Sequence, residues 1–298
     1  MSDAPSISQL LKIGITILEG STVESPGVDA EILLSFVLSM DKLDLLTRSS
    51  ETVEKNRVKE YLRAVTERKE GTPVQYITGK ADFYNATLTV NENVLVPRPE
   101  TEILVSSVLE EVCSGQIAPG GEIISILDVG TGSGAIALSL AMELSSGRRL
   151  KIIASDISDK ALEIARRNSR DLGCGDLVEF RSGNMLDVLN DTEMFHIIVS
   201  NPPYVSCAEF ETLPPEVRDH EPVCSLVSGE TGLESIQTLL MKAKEHLLEG
   251  GLLALEIGLG QAEKVDRMLD EFGYSRYSFR KDLAGITRVV LARWEQRS

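Results

Sequence analysis

Four residues in the second half of the chain, Asn201-Pro202-Pro203-Tyr204, combine types that suit chemistry on a planar amino group. They follow an apolar stretch that is typical of a buried strand. The Asn201 side-chain oxygen and the Pro202 backbone carbonyl could accept both N–H bonds of a flat NH2 group and stabilise the charge that develops on its nitrogen. The prolines restrict the backbone, and Tyr204 offers a flat face. We predict Asn201 and Pro202 as the catalytic pair and all four residues as substrate-binding; a simple proline turn is the alternative.

A glycine-rich segment lies upstream of this motif, directly after another apolar run. Its sequence is Asp128-Val129-Gly130-Thr131-Gly132-Ser133-Gly134. Glycines at a strand-to-helix turn let the backbone approach a ligand with no side chain in the way. The third glycine comes too early for a dinucleotide fingerprint, and no Lys-Ser/Thr pair follows as in a P-loop. We predict a cofactor loop in which Asp128 meets a cationic ammonium and the ligand contacts Gly130, Thr131, Gly132, Ser133 and Gly134.

Polar and apolar side chains that suit a nucleoside follow the next two predicted strands. Asp156 lies where an acid accepts both ribose hydroxyls. Further on, Asn184 could bind the exocyclic amine of adenine, and Met185 could pack on the purine face. A turn acid, a loop amide and an apolar Met would also explain these residues without a ligand. Together with Asn201, the set predicts S-adenosylmethionine as the cofactor and methyl transfer, which needs no general base, as the reaction.

Three patterns along the chain predict the elements that position these residues. The first eighty or so residues show the apolar spacing of helices, and short alternating stretches from Phe83 to Val96 indicate a hairpin or an extended linker. From about residue 120, strands and helices alternate, as in a mainly parallel sheet with helices on both faces. We predict an α/β protein with a helical domain over 1–82 that packs or recognises a partner, a β-hairpin linker over 83–100 and a Rossmann-like methyltransferase domain over 101–298.

Composition narrows the classes of partner. The formal net charge of −16 contrasts with the basic surface of proteins that bind nucleic acid through its phosphates. The four cysteines form no C-x-x-C pair and there are three histidines, so we expect neither a disulfide framework nor a metal site. No run approaches the roughly 18 apolar residues of a membrane span, and no secretory leader is evident. We expect a cytoplasmic protein that binds neither nucleic acid nor membrane directly.

Motifs over nearly the whole chain resemble those of the release-factor glutamine N5-methyltransferases. They are Gly71-Thr72-Pro73, Gln75-Tyr76-Ile77-Thr78-Gly79, Phe83-Tyr84, Val96-Pro97-Arg98-Pro99-Glu100-Thr101-Glu102, the loop 128–134, the motif 201–204, Glu221-Pro222 and Glu256-Ile257-Gly258. The run over 97–102 discriminates best, because the related ribosomal-protein glutamine methyltransferases look different there. Adenine-specific DNA methyltransferases share only the cofactor loop and the Asn-Pro-Pro-Tyr element.

The resemblance implies methylation of the glutamine in the Gly-Gly-Gln tip of peptide-chain release factors. It also implies a helical N-terminal domain that helps to dock the release factor, joined by the hairpin to a seven-stranded methyltransferase domain whose last two strands, near 277–279 and 286–292, are antiparallel. By the same resemblance, Gly130–Gly134 and Asp156 bind the cofactor, and residues 201–204 hold the substrate glutamine. Many members carry an acid at position 184. Asn184 would therefore accept a hydrogen bond from the adenine amine through a neutral amide oxygen and not through a charged carboxylate. The alternatives are an adenine-N6 nucleic-acid methyltransferase, a glutamine methyltransferase for another protein, and a binding module that has lost activity.

Overall fold

A computed structural model describes residues 4–118 and 122–295. Contacts between residues divide this part of the chain into two compact units. The first contains the residues up to Lys80 and a later segment, Pro214–His220, and the second contains Ala81–Leu213 and the residues from Glu221 onward. The later segment therefore groups with the helices, although the sequence pattern assigns it to the second domain. The predicted hairpin linker groups with the second unit.

The first unit is made of helices, and the second unit has helices of its own that cover its sheet. In chain order the helices of the described residues are α1 (Ile7–Glu19), α2 (Pro26–Leu38), α3 (Lys42–Thr47), α4 (Lys55–Lys69), α5 (Val74–Thr78), α6 (Thr101–Cys113), α7 (Ala135–Ser145), α8 (Asp159–Asp171), α9 (Cys207–Phe210), α10 (Pro215–Arg218), α11 (Val223–Leu226), α12 (Glu234–Ala243) and α13 (Ala262–Phe272). Within 4–118 and 122–295, no helix is long and apolar enough to cross a bilayer.

Tyr61 fixes the packing of the helices in the first unit. α1 begins with a capping box, in which the Ser6 hydroxyl accepts from the Gln9 backbone N–H and the Gln9 side chain accepts from the Ser6 N–H. The buried Tyr61 of α4 donates to the carbonyl of Ala30 in α2 at 3.2 Å. Its ring also approaches α1 at Gly14, where an added Cβ would overlap the Tyr61 hydroxyl. The glycine therefore lets three helices meet around one aromatic side chain.

Arg68 joins the segment 214–220 to the helices through ion pairs. Its guanidinium lies 2.6 Å from a carboxylate oxygen of Asp29 and 2.8 Å from one of Glu216, and it donates to the carbonyl of Thr72. Arg68 and Asp29 are buried, so removal of the Arg68 charge would leave the Asp29 carboxylate without its ion-pair partner. These contacts explain why a segment far along the chain belongs to the first unit.

The second unit contains a small hairpin and a seven-stranded sheet. Its strands are β1 (Lys80–Phe83), β2 (Ala86–Thr89), β3 (Ile124–Val129), β4 (Leu150–Asp156), β5 (Val178–Ser182), β6 (Phe195–Ser200), β7 (Leu247–Glu256), β8 (Arg276–Lys281) and β9 (Thr287–Arg293). The sheet order is β5-β4-β3-β6-β7-β9-β8, with β3 to β7 parallel and the pairs β7·β9 and β8·β9 antiparallel. The predicted seven-stranded α/β fold with a terminal antiparallel pair is confirmed.

Side chains of the central strands alternate between two apolar cores. Ile126 and Ile197 face the core that α6 and α7 complete, whereas Leu127 and Ile198 face the core of α12 and α13. Both faces of these strands are therefore buried, which is why they appear in the sequence as continuous apolar runs.

β7 begins earlier than the sequence pattern predicts. The helical spacing predicts a helix through Leu248 and a strand from Leu252, but α12 ends at Ala243 and the strand starts at Leu247. Leu247 pairs with Phe195, and the register of β6 and β7 shifts after this pair. The apolar residues after α12 continue a helical pattern locally, and only pairing with a distant strand makes them extended.

Asn168 ties the hairpin to the glycine-rich segment. The hairpin starts at Lys80, three residues before its predicted start at Phe83. From α8, the buried Asn168 side chain accepts the Thr89 N–H at 2.8 Å and donates to the Thr89 carbonyl at 3.0 Å. It also donates to the Ser133 carbonyl at 2.8 Å. One amide thus satisfies backbone groups of both elements.

The contact between Gly14 and Tyr61 yields a stability prediction. We expect Gly14→Ala to lower the free energy of unfolding by about 1–3 kcal/mol, because the new methyl group overlaps a buried ring. Gly27→Ala in α2 is the matched control, since its added Cβ meets nothing within 4 Å and helices favour alanine over glycine. Urea unfolding measures both variants. Equal stability of the two would contradict the packing described above.

Candidate active site

A cavity of about 310 Å³ lies at the carboxyl ends of β3, β4 and β6. β4 and β6 flank β3 on opposite sides, and ligands bind in open α/β sheets at the point where the strand order reverses in this way. The volume is within the range of small-molecule sites. Predicted site residues that line the cavity are Gly130, Gly132, Asp156, Asn184, Met185, Asn201, Pro202 and Pro203. The structure therefore brings residues from three predicted motifs together.

The glycine-rich segment turns tightly at the cavity wall. Gly130 and Gly132 have φ angles of +72° and +57°, which L side chains rarely adopt. No atom lies within 4 Å of a Cβ built on either glycine, so a ligand could approach the backbone there. The backbone N–H groups of Gly130 and Thr131 both donate to the carbonyl of Ser155 at 2.9 Å, which anchors the turn to β4.

Asp156 holds the glycine-rich turn and also lines the cavity. One carboxylate oxygen accepts the Gly132 N–H at 2.8 Å, and the other accepts the Ser158 N–H at 2.9 Å. Burial raises the pKa of Asp156 above its usual range, although these backbone hydrogen bonds lower it. A carboxylate oxygen accepts more than one hydrogen bond, so Asp156 could also accept from the hydroxyls of a ligand.

Asp128, in contrast, does not line the cavity. Its side chain is fully buried, and one oxygen accepts from the Thr131 hydroxyl at 2.6 Å and from the Ala137 N–H at 3.2 Å. The other oxygen has no hydrogen-bond partner among the described residues. Burial raises the pKa of Asp128 to about 7. Side chains alternate along a strand, and Val129 lines the cavity while Asp128 faces α7, so the predicted contact with a ligand ammonium does not follow from this geometry.

Three further residues of the predicted loop support it from outside the cavity wall. The Thr131 hydroxyl donates to the Asp128 carboxylate, and the Ser133 carbonyl accepts from the Asn168 side chain. Gly134 precedes α7 with a φ angle of +87°, and a Cβ there would lie 2.9 Å from the Leu138 side chain. These residues shape the loop, a role that the sequence pattern does not separate from ligand contact.

Asn184 and Met185 line the cavity near the end of β5. Asn184 is exposed, and its backbone carbonyl accepts from the Asp187 N–H at 3.0 Å. Met185 has a φ angle of +47°, which is uncommon for a residue other than glycine, and its side chain packs beside an apolar core. An apolar side chain and an amide thus lie at the wall where the sequence predicts an adenine.

Asn201 is oriented by a residue to which the sequence pattern gives no role. Its Nδ2 lies 3.1 Å from the hydroxyl of Thr101, which begins α6, and that hydroxyl donates to Glu256 Oε2 at 2.6 Å. Glu256 is 2% exposed, and burial raises its pKa to about 7. With Nδ2 held by Thr101, Oδ1 of Asn201 is the end of the amide that can accept from a ligand.

Tyr204 does not line the cavity, but its backbone and its hydroxyl are both held. The Gln261 side chain donates to the Tyr204 carbonyl at 2.9 Å and to the Gly232 carbonyl at 3.1 Å. The Tyr204 hydroxyl lies 3.4 Å from Glu256 Oε1, and burial raises the pKa of this phenol. The Asn-Pro-Pro-Tyr segment is thus supported by groups far along the chain.

Other residues of the site carry no role in the sequence pattern. The cavity wall includes Asn93, Val94 and Leu95 after the hairpin, and Pro222, Cys224, Ser225 and Val227 around α11. Thr101, Glu256 and Pro222 do fall within the motifs that carry the family resemblance. Those motifs are the signal in the sequence that could have pointed to these residues. Gln261 lies in none of them, because its role depends on where the loop after β7 folds back.

The residues at the cavity fit the cofactor that the sequence predicts. Open space next to Gly130 and Gly132 admits a ligand against the backbone, and Asp156 offers a carboxylate for hydroxyl groups. Met185 and Ala161 provide an apolar wall for a planar base. Asn201 lies in the same cavity, at the carboxyl end of β6 on the other side of β3. The cavity therefore offers open backbone, a carboxylate and an apolar wall of the kind that a nucleoside would need, with the Asn201 amide in the same cavity.

Comparison with known proteins establishes the family. A model of the PrmC N-terminal domain matches residues 9–79, and a model of a methyltransferase domain matches residues 122–272. The release factor glutamine methyltransferase of Koribacter versatilis is 38% identical over 288 residues, which cover 97% of this chain and 98% of that protein. The chain belongs to the release factor glutamine methyltransferase family. The resemblance seen in the sequence motifs is confirmed.

Other members of the family agree with this assignment, and one solved structure shares the fold. The enzyme of Clostridium acetobutylicum is 38% identical, covering 93% of this chain and 94% of the relative, and that of Neisseria gonorrhoeae is 39% identical, covering 90% and 94%. The N-terminal domain of human METTL16 in complex with SAH is 14% identical with a TM-score of 0.53, covering 89% of this chain and 94% of that chain. At this identity, the structural similarity supports the fold alone.

The buried carboxylate of Asp128 yields a prediction about stability and pH. Its pKa of about 7 lies above that of an unfolded chain, so the folded state binds more protons between pH 5 and 7 and stability falls as the pH rises. Asp128→Asn removes this titration, and its stability should depend less steeply on pH in that window, by at most about 1.4 kcal/mol per pH unit. Urea unfolding at several pH values measures the slopes. Parallel curves for the two proteins would contradict the assignment.

Proposed function

We propose that this protein transfers the methyl group of S-adenosylmethionine to the side-chain amide nitrogen (N5) of a glutamine in a peptide-chain release factor, at its Gly-Gly-Gln tip. The observation that carries the proposal is the position of Asn201, whose amide is held by Thr101 at the edge of a nucleoside-sized cavity. Relatives that match nearly the whole chain bear the name release factor glutamine methyltransferase. The position of Asn201 supports a planar amino group as the acceptor, and the names of the relatives support a glutamine amide.

Residues of three strand ends hold the cofactor in this proposal. Gly130 and Gly132 let it approach the backbone, and Asp156 accepts its ribose hydroxyls. Asn184 and Met185 contact the adenine, with Asn184 accepting the exocyclic amine without charge. When bound, S-adenosylmethionine supplies an electrophilic methyl group on a sulfonium centre. Four residues act on cofactor binding indirectly, because they shape the glycine-rich loop: Asp128, Thr131, Ser133 and Gly134.

Asn201 and Pro202 hold the substrate amide. An amide nitrogen is a weak nucleophile because its lone pair is delocalised into the carbonyl. The Asn201 side-chain oxygen and the Pro202 backbone carbonyl accept its two N–H bonds, which orients the nitrogen and stabilises the positive charge that develops on it. Pro203 and Tyr204 complete the binding segment, and Gln261 keeps it in place. The proton leaves the nitrogen after methylation, so no general base is needed.

The release factor docks, in this proposal, on the helical domain over 1–82, with the hairpin linker over 83–100 leading to the catalytic domain over 101–298. The substrate is a protein of the translation machinery, so a cytoplasmic location belongs to the same proposal. The net charge of −16 argues against a polyanion as the substrate, and we expect no direct binding of nucleic acid.

One assay tests the function. We expect the protein to transfer tritiated methyl groups to a purified bacterial release factor, and not to the same factor with its Gly-Gly-Gln glutamine replaced by alanine. An adenine-containing DNA duplex and an RNA hairpin serve as alternative substrates. Methylation of either nucleic acid in place of the factor, or equal labelling of the two factors, would overturn the proposal.

Asn201→Ala should separate catalysis from cofactor binding. Loss of the acceptor oxygen is expected to reduce turnover on the order of a hundredfold or more, while cofactor affinity stays within a few fold. Single-turnover methyl transfer and isothermal titration with S-adenosylmethionine measure the two effects. Asn190→Ala, in an exposed loop outside the cavity, is the control. Comparable losses of turnover and cofactor affinity would contradict the role of Asn201.

Asp156→Ala should act chiefly on cofactor binding. Removal of the carboxylate deletes hydrogen bonds to the ribose and also the contact that holds the Gly132 N–H. We expect a loss of cofactor affinity of about 1.5–3 kcal/mol, as for hydrogen bonds to a charged group. Asp171→Ala, at the exposed end of α8, is the control for isothermal titration. Unchanged affinity in Asp156→Ala would exclude the predicted ribose contact.

A further inference from the structure

A buried chain of hydrogen bonds connects Glu256, at the end of β7, to Asn201, at the end of β6. The Thr101 hydroxyl lies between them, 2.6 Å from Glu256 Oε2 and 3.1 Å from Asn201 Nδ2. Thr101 is 4% exposed and Glu256 is 2% exposed. Water therefore does not compete for these groups, and each hydrogen bond determines what the next group can do.

The direction of the hydrogen bonds in this chain matters because an asparagine amide has two nearly isosteric ends. One end is an acceptor oxygen, and the other is a donor NH2 group. A hydroxyl has one proton, so if Thr101 donates it to the Glu256 carboxylate, Thr101 can only accept from Asn201. The Asn201 NH2 group is then held against Thr101, and its oxygen is left to accept from the substrate.

We propose that Glu256 is a positioning residue that, through the Thr101 hydroxyl, sets which end of the Asn201 amide meets the substrate. The proposal rests on the proposed glutamine methylation, since the acceptor oxygen is required for binding the N–H bonds of an amide. Glu256 does not line the cavity. It acts on the reaction only through the orientation of Asn201.

The surroundings of Glu256 allow its protonation state to change this orientation. The Tyr204 hydroxyl faces its second oxygen at 3.4 Å, while the charge of Arg288 lowers its pKa and that of Glu100 raises it. Burial is the largest influence and raises the pKa of Glu256 to about 7. Below that pH, a protonated Glu256 can donate to Thr101. The Thr101 proton is then available to the Asn201 oxygen, and the amide is no longer held with its acceptor towards the substrate.

A set of isosteric variants tests the proposal by activity. Turnover of the wild-type protein at saturating cofactor should rise with pH through about 7, and Glu256→Gln, which cannot ionise, should lose this rise. Thr101→Val should lower kcat on the order of tenfold with unchanged KM for cofactor, and Thr101→Ser should restore it. Thr238→Val is the matched control, because the Thr238 hydroxyl bonds only to its own helix, and its kcat should equal that of the wild type.

A measurement on the protein without substrate or cofactor separates this proposal from the proposed function. The side-chain NH2 resonance of Asn201, assigned by its absence in Asn201→Ala, should shift with pH near 7 in the wild type and stay constant in Glu256→Gln. The same titration in both proteins, or none in the wild type, would overturn the proposal. If Thr101→Val fails to fold, the Glu256→Gln comparison decides alone. Failure of the wild type to methylate a release factor would instead count against the proposed function, whatever the resonance shows.

Discussion

Parallel strands that end side by side are the constraint on which the rest of the site depends. β4 and β6 flank β3, so their carboxyl ends and the segments that follow them share one edge of the sheet. Each following segment can then contribute a different function to one cavity. The glycine-rich turn leaves room for a ligand, Asp156 supplies a carboxylate, and Asn201 supplies an acceptor oxygen. Apolar cores on both faces keep the strands, and hence these residues, in register.

Two buried carboxylates and one half-buried carboxylate hold neighbouring groups in place around this edge. Asp128 accepts from Thr131 and Ala137, Asp156 from Gly132 and Ser158, and Glu256 from Thr101. Burial raises the pKa of all three acids, which costs stability when they ionise. Burial of these acids thus lowers the stability of the fold, while their hydrogen bonds order the loops that meet a ligand. Only Asp156 among the three also lines the cavity.

In the proposed mechanism, neutral groups contact the reacting amide directly. An amide nitrogen needs orientation and stabilisation of developing charge, and neutral oxygens provide both. Asn201 is held by Thr101, and the Tyr204 carbonyl is held by Gln261. Each support is a neutral side chain that fixes a neutral group. The cavity wall contains one carboxylate and several amides, which is consistent with neutral groups as the main contacts of the substrate amide.

The sequence by itself determined the order of the parallel strands and of helices such as α7 and α8, because apolar periodicity reports burial within each segment. It also determined the family and the motif residues that meet at the sheet edge, such as Gly130, Asp156 and Asn201. Only the tertiary structure decided that Asp128 faces α7, since the alternation of side chains fixes a face but not which face holds the ligand. It alone revealed the contacts of Thr101, Glu256 and Gln261, which join residues far apart in the chain. The same holds for the segment 214–220, whose ion pair with Arg68 no local pattern encodes.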